Sequence, residues 1–191
     1  MFTLVLVMTE SAPVPALLTR AEFYQRNAAY MQTQQPDFER ETAEMFFSLL
    51  FAYDAFTSHF ARRMQRFDLT LSSFNLLMIL NSPVYRDTGC PLSHLGELLL
   101  VSKANITGVM DSVERRGLAE RVDASYDRRV KLAQITDNGR DLLARVIPGH
   151  FREAKRVCSG IDPQEKRQIR DLLRKVRQVV LDAGEEPHDE T

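Results

Sequence analysis

Apolar residues recur at helical spacing through most of this chain, interrupted by two short stretches of alternation. Residues 38–67 carry the widest apolar surface. Phe46, Leu49, Leu50, Tyr53, Phe56, Phe60 and Met64 follow an i, i+3, i+4, i+7 pattern, and Met45, Phe47 and Phe51 widen the arc beyond one face. An apolar arc that wide predicts a helix buried on two sides. Thr70 is the candidate N-cap of a second helix, with Leu71, Phe74, Leu77 and Met78 inward, ending near residues 81–83. After a loop, Leu92, Leu95 and Leu99 mark the core stripe of a short helix. The next helix is predicted over residues 103–116, between the N-cap Ser102 and Gly117, where glycine enters the left-handed conformation at low cost. Its buried stripe is Ile106, Val109, Met110 and Val113.

Residues 118–122 and 130–135 alternate in part and predict a strand pair joined by a tip at 123–129. Thr136 then caps a helix carrying Leu142, Leu143, Val146, Ile147, Phe151, Ala154 and Cys158, in which Pro148-Gly149 predicts a kink or a break. The last helix has the clearest start, with Asp162 as N-cap, Pro163 at the first position and Glu165 three beyond the cap. Ile169, Leu172, Leu173, Val176 and Val180 form its stripe, and Lys166, Arg167, Arg170, Arg174, Lys175 and Arg177 a basic face that reads as solvated. Residues 1–37 read as a poorly specified arm with one short helical pattern at 19–32, and the acidic tail at 184–191 is expected to be disordered.

Bulk properties change this picture little. The formal net charge is −1, so any basic patch must be local; residues 102–131 hold seven Lys/Arg against five Asp/Glu. Two distant cysteines make no disulfide framework, which favours a reducing, cytoplasmic setting. The apolar start MFTLVLVM is too short to span a bilayer and lacks the features of a signal peptide. Either translation begins at Met8 or this segment docks on a partner subunit; the residues leave both open.

Chemistry concentrates at residues 102–129. Opposite the apolar stripe, Ala104, Asn105, Thr107, Gly108, Asp111, Ser112 and Arg115 are small or hydrogen-bonding, as a DNA recognition helix requires for close approach to base edges. At the strand-pair tip, Tyr126, Arg128 and Arg129 beside Asp127 suit an arginine reaching into a minor groove while the aspartate holds it. The run L-L-x-x-S-K-A-N-I-T-G-V-M-D-x-V-E-R-R-G-L-A-E-R, followed by D-R-R and I-T-D-N-G-R, resembles the MarR family of winged helix-turn-helix transcription regulators.

The resemblance covers roughly residues 39–182, with its specific motifs between Leu92 and Arg140. It implies a mainly α fold with a small β-hairpin wing, in which the first and the last two helices of residues 38–183 form a homodimer interface. The DNA-reading lobe then spans about 70–136. The expected partner is double-stranded DNA, contacted by Ser102, Lys103, Ala104, Asn105, Thr107, Gly108, Asp111, Ser112 and Arg115 of the helix and by Asp127, Arg128 and Arg129 of the wing. The family pattern gives Arg129 the minor-groove position. It also implies a small-molecule effector between the dimerisation helices and the reading lobe, where Tyr53, Phe56, His59 and Arg63 are the candidate lining.

Other classes find less support. No nucleophile motif or glycine-rich phosphate loop points to an enzyme, and no cofactor is expected. Cys90 and His94 would share a helix face if Cys90 opens the helix, yet that is half of a zinc site, so no metal is expected. Cys158, on an apolar stripe, reads as core; Cys90 is the better redox candidate. Redox-sensing members of the family place their cysteine near the start of the first long helix, where this chain has none. The alternatives are a winged-helix protein–protein adaptor without DNA binding and a cysteine-based redox regulator.

Overall fold

The structure, a computed structural model, describes residues 18–99, 103–124, 127 and 129–184, leaving aside the side chains of Ala21, Lys103 and Ala104. The chain divides into two compact units, residues 1–63 and 64–191. In the first, helix α1 (Arg20–Gln34) packs on α2, which runs from Arg40 to Met64. Helix α1 is better specified than its proline-flanked surroundings suggested. Thr19 and Glu22 form a reciprocal capping box, the Thr19 hydroxyl accepting the Glu22 amide and the Glu22 carboxylate accepting the Thr19 amide. Tyr24 of α1 lies against Phe47 and Phe51 of α2, with ring centroids 4.1 and 5.4 Å away, and Arg20 pairs with Asp54 at 2.8 Å. One side of the apolar arc on α2 is thereby occupied. Met45, Phe46, Leu50, Tyr53 and Phe56, elsewhere on it, remain exposed.

The second unit builds the core. A 3-10 turn (Gln65–Phe67) follows α2, then α3 (Leu71–Leu80), the two-residue strand β1 (Cys90–Pro91), α4 (Leu92–Leu99) and α5 (Lys103–Arg115). Strands β2 (Ala119–Asp123) and β3 (Lys131–Ile135) form the hairpin, and α6 (Asp137–Val157) and α7 (Pro163–Gly184) close the chain. The antiparallel sheet has the order β1-β3-β2, with Arg121 and Cys90 both opposite Ala133. Phe74, Leu76, Leu77 and Leu80 of α3, Leu95 of α4, the α5 stripe and Leu142, Leu143 and Val146 of α6 converge in one core cluster. Ile106, Val109, Met110 and Val113 are 4%, 8%, 0% and 1% exposed, so the predicted inward face of α5 is the observed one. Each such side chain contributes about 1.5–3 kcal/mol on burial.

Two details depart from the sequence reading. Cys90 does not open a helix. It sits in β1, because two residues before α4 pair with the outer edge of β3, a pairing too short to leave a periodic signal. Nor does Pro148-Gly149 break α6, which runs on to Val157. Proline removes one amide donor, and Ala144, Arg145 and Pro148 are all exposed, so the carbonyl it leaves unpaired belongs to the open side of the helix. The expected caps of α3, α6 and α7 are present: Thr70 accepts the Ser73 amide, Thr136 the Gly139 amide, and Asp162 the Gln164 and Glu165 amides. Ser102, the residues 1–17, and the tail beyond Gly184 lie outside the described residues.

Gly117 has φ +62° and ends α5 as expected. Gly139 has a different role, since a Cβ there would lie 2.1 Å from the Leu118 carbonyl oxygen. Gly139→Ala is therefore expected to cost about 3 kcal/mol, the upper end for an overpacked site. Gly108→Ala, whose added methyl meets nothing within 4 Å on an exposed helical turn, should instead stabilise by up to about 1 kcal/mol. Urea unfolding midpoints of the two variants check the contrast.

Candidate nucleic-acid interface

The polar face of α5 is presented by the burial of the opposite one. With Ile106, Val109, Met110 and Val113 locked into the core, the 3.6-residue period leaves Asn105, Thr107, Gly108, Asp111 and Arg115 exposed and Ser112 half-buried. Lys103 and Ala104 begin the helix, and Ser102 precedes the described part of it. Gly108 has open space beyond its Cα, so a partner can approach the backbone closely there.

The wing carries a pre-formed clasp. Asp127 Oδ1 accepts the Arg129 backbone amide at 2.9 Å and its Nε at 3.1 Å, while Oδ2 accepts Nη2 at 3.1 Å. Arg129 is nonetheless 91% exposed, so it is aimed but not covered. These hydrogen bonds hold the Asp127 carboxyl below the usual carboxylate range. Behind the tip, Ala124 and Val130 continue the hairpin through the Ala124 amide to the Val130 carbonyl at 3.0 Å, and Lys131 pairs with Asp123. Tyr126 and Arg128 lie outside the described residues.

Sequence reading missed a brace between the helix and the wing. Arg121 of β2 donates through Nη2 to Asp111 Oδ1 at 2.5 Å and through Nη1 to Glu114, whose Oε1 also accepts the Arg121 amide at 3.0 Å. Asp111, expected to face DNA, is thus committed in part to its own protein. The period of α5 and the alternation of β2 each place these residues correctly, but their meeting depends on the turn at Gly117, which no local pattern encodes. At the end of α5, Arg116 donates to the carbonyls of Phe67 (3.1 Å) and Asp68, fastening the helix to the 3-10 turn.

Tyr53, Phe56, His59 and Arg63 share a stripe on the last turns of α2. Tyr53 is 69% exposed, Phe56 packs on Phe60 at 4.9 Å, and His59 meets Phe60 edge-on. Cys90 and His94 do not share a helix face, because Cys90 precedes the helix in β1; His94 Nδ1 lies 3.1 Å from Glu97. Among the described residues no group of three or more His, Cys, Asp or Glu side chains is placed to hold a metal ion, and no helix is long and apolar enough to cross a membrane. Cys90 is fully buried and its thiol is pushed up to about 11 by that burial, against a smaller opposing pull from Tyr85. The expectation that it is the better redox candidate is therefore corrected: burial shields this thiol and disfavours its thiolate. Cys158, expected in the core, is instead the half-exposed C-cap of α6.

A three-helix lobe with a strand hairpin, a polar helix face over an apolar stripe, and an arginine-tipped wing define a winged helix-turn-helix transcription regulator. The comparisons agree. No family model matches the chain. It is 29% identical over 136 residues to the HTH-type transcriptional regulator MhqR of Bacillus subtilis, covering 71% of this chain and 91% of that protein. It is 32% identical over 84 residues to the transcriptional repressor MprA of Escherichia coli, covering 44% of this chain and about half (48%) of MprA. Among solved structures, Bordetella bronchiseptica BpsR, whose DNA binding is described as regulated by 6-hydroxynicotinic acid, matches at 25% identity and TM-score 0.61, covering 69% of this chain and 91% of that one. Sco3205, a MarR family transcriptional regulator from Streptomyces coelicolor solved in complex with DNA, shares the fold at 21% identity and TM-score 0.65, covering 93% and 96%. In sequence the chain is similar to HTH-type transcriptional regulators, and in fold to a solved member of the MarR family.

The two thiols give a direct check. A thiol-specific reagent at pH 8 should label Cys158 rapidly and Cys90 only after unfolding, and mass spectrometry of the labelled peptides reads which reacts. Equal labelling rates in the native protein would contradict the burial of Cys90.

Proposed function

We propose that this protein is a cytoplasmic repressor that binds an inverted-repeat operator as a homodimer and releases it when a small molecule binds. The observation that carries the reading is the exposed polar face of α5, held over its buried stripe, beside a wing arginine already clasped by Asp127. In this reading Ser102, Lys103, Ala104, Asn105, Thr107, Gly108, Ser112 and Arg115 meet DNA in the major groove, with Asp111 beside them. Arg128 and Arg129 work in the minor groove, with Asp127 bracing Arg129. A guanidinium suits that groove because it stays charged and sheds water more readily than an ammonium. Narrow A·T-rich grooves carry the most negative potential, so this contact reads shape more than base identity.

Two copies are needed because one helix reads too few bases, and a two-fold axis places half-sites about one helical turn apart. The exposed apolar residues of α2 and those of α7 (Ile169, Leu172, Leu173, Val179, Val180 and Leu181) favour such a pairing. Residues 38–183 would then form the functional unit, with the reading lobe at about 70–136. Repression is supported by the naming of MprA as a repressor, and effector control by the ligand-regulated BpsR. Tyr53, Phe56, His59 and Arg63 are the proposed effector-facing residues. The adaptor alternative predicts no binding in a gel shift on the DNA upstream of this protein's own gene, whereas the regulator predicts a salt-sensitive, sequence-selective shift.

Arg129→Ala should weaken that binding, lower the salt-dependence slope by about one counterion, and leave the oligomeric state unchanged. Fluorescence anisotropy across a salt series measures both; an unaltered slope would show that the hairpin does not act as a wing. Deleting residues 161–191 should abolish the dimer and leave aggregated or unfolded protein. A soluble, folded monomer by light scattering would overturn the assembly proposed for α7.

A further inference from the structure

Two carboxylates, Asp111 and Glu114, belong to the same helix as the DNA-facing residues, where unneutralised negative charge opposes phosphate. Both are engaged by Arg121, which comes from β2 and so from the hairpin that ends in the wing. We infer that Arg121 is the positioning residue of the reading head: it fixes the angle between recognition helix and wing, and it offsets part of the negative charge of the two acids that would otherwise face DNA. The inference rests on the DNA-binding reading above.

The geometry carries it in three ways. First, the contact is doubly anchored, because Glu114 receives both the Arg121 side chain and its backbone amide, at 3.0 Å for the amide. Helix rotation or strand sliding would break one or the other. Second, Arg121 Nη2 also lies 3.5 Å from the Thr107 carbonyl, so one guanidinium spans two turns of α5. A lysine, with a single ammonium, cannot make that planar fork. Third, Arg121 is the least exposed member of the group, its side chain 23% accessible against 49% for Asp111 and 37% for Glu114. Burial by itself disfavours its charge, but the Asp111 hydrogen bond and the pull of Glu114 and Asp111 outweigh it and hold the guanidinium above its ordinary range. The cation is therefore built into the joint, and the acids are the parts turned toward solvent.

The role separates experimentally from base reading and from general stability. Binding is measured to the duplex upstream of the protein's own gene, to a scrambled duplex, and to single-position variants of the operator. Asp111→Asn leaves the Arg121–Glu114 contact in place, so the fold should survive. The inference expects it to relax preference modestly at every position that α5 reads, whereas a base-reading aspartate would lose preference at one position only. Arg121→Met should lose at least tenfold in operator affinity and most of the discrimination against scrambled DNA, and Arg121→Lys should recover only part of either. In the triple variant Arg121→Met, Asp111→Asn, Glu114→Gln, the repelling charge is gone. Binding to scrambled DNA should return while discrimination stays lost, because the joint remains loose. Hydrogen exchange of the α5 amides in DNA-free protein, faster in Arg121→Met at unchanged global unfolding, reads the same loosening independently. Operator discrimination within twofold of the unaltered protein in Arg121→Met, or fully restored in the triple variant, overturns the inference. Absence of any sequence preference in the unaltered protein overturns instead the function on which it rests.

Discussion

The Leu118 carbonyl accepts the Thr136 amide at 3.2 Å, and it lies where a side chain on residue 139 would have to go. Next to it, the Thr136 hydroxyl donates to the Gly117 carbonyl at 2.7 Å and accepts the Gly139 amide. Four elements meet in this small volume: the end of α5, the start of β2, the end of β3 and the first turn of α6. Because backbone touches backbone, no rotamer change can relax the contact, and the hairpin is carried at a fixed direction from α5. The polar face of α5 and the Arg129 clasp are useful as a pair only because this joint sets where one stands relative to the other. Leu118, Ile135, Leu142 and Leu143 then surround the joint with buried apolar contacts, so it does not depend on hydrogen bonds alone.

Charge is organised on the same principle of acids positioning arginines. With a net charge of −1, the chain attracts no polyanion through its overall field. Attraction has to be local, and a flexible arginine is a poor local device because ordering it costs side-chain entropy on binding. Under the proposed function Asp127 meets that cost in advance for Arg129, leaving a cation 91% exposed yet fixed through three hydrogen bonds. Asp111 and Glu114 do the converse for Arg121, which is drawn inward and gives up contact with solvent. One arginine is thereby presented and the other made structural, a division that composition alone does not reveal.

How far the residues spoke for themselves follows from the range of the interactions involved. The stripe of α5, the stop at Gly117, the caps at Thr70, Thr136 and Asp162, and the two hairpin strands depend on neighbours within a few positions, and each falls within one or two residues of its expected place. The capping box at Thr19–Glu22 was equally local but was hidden by the prolines around it. What stayed illegible depends on distant partners. Cys90 read as the better redox candidate because its burial comes from β3, some forty residues later. Pro148 looked like a break because its neighbours' exposure is a tertiary fact. Arg121 looked like one basic residue among several until β2 folded back on α5.

The faces that remain uncovered pose the final constraint. In the unit of residues 64–191, α7 buries none of its side chains, although it opens with a complete capping box and keeps a continuous apolar stripe. A solitary helix of this composition gains little from propensity, since most helical stability in proteins comes from packing an apolar face. The apolar exposure on α2 in the other unit makes the same demand separately. Covering two such faces removes apolar area from water, which favours association. In the proposed dimer a two-fold partner covers them with the same residues on both sides, and its symmetry is the one an inverted repeat of DNA requires. The apolar pattern left exposed on the single chain thus favours the same assembly that the proposed reading of a sequence by its polar helix face requires.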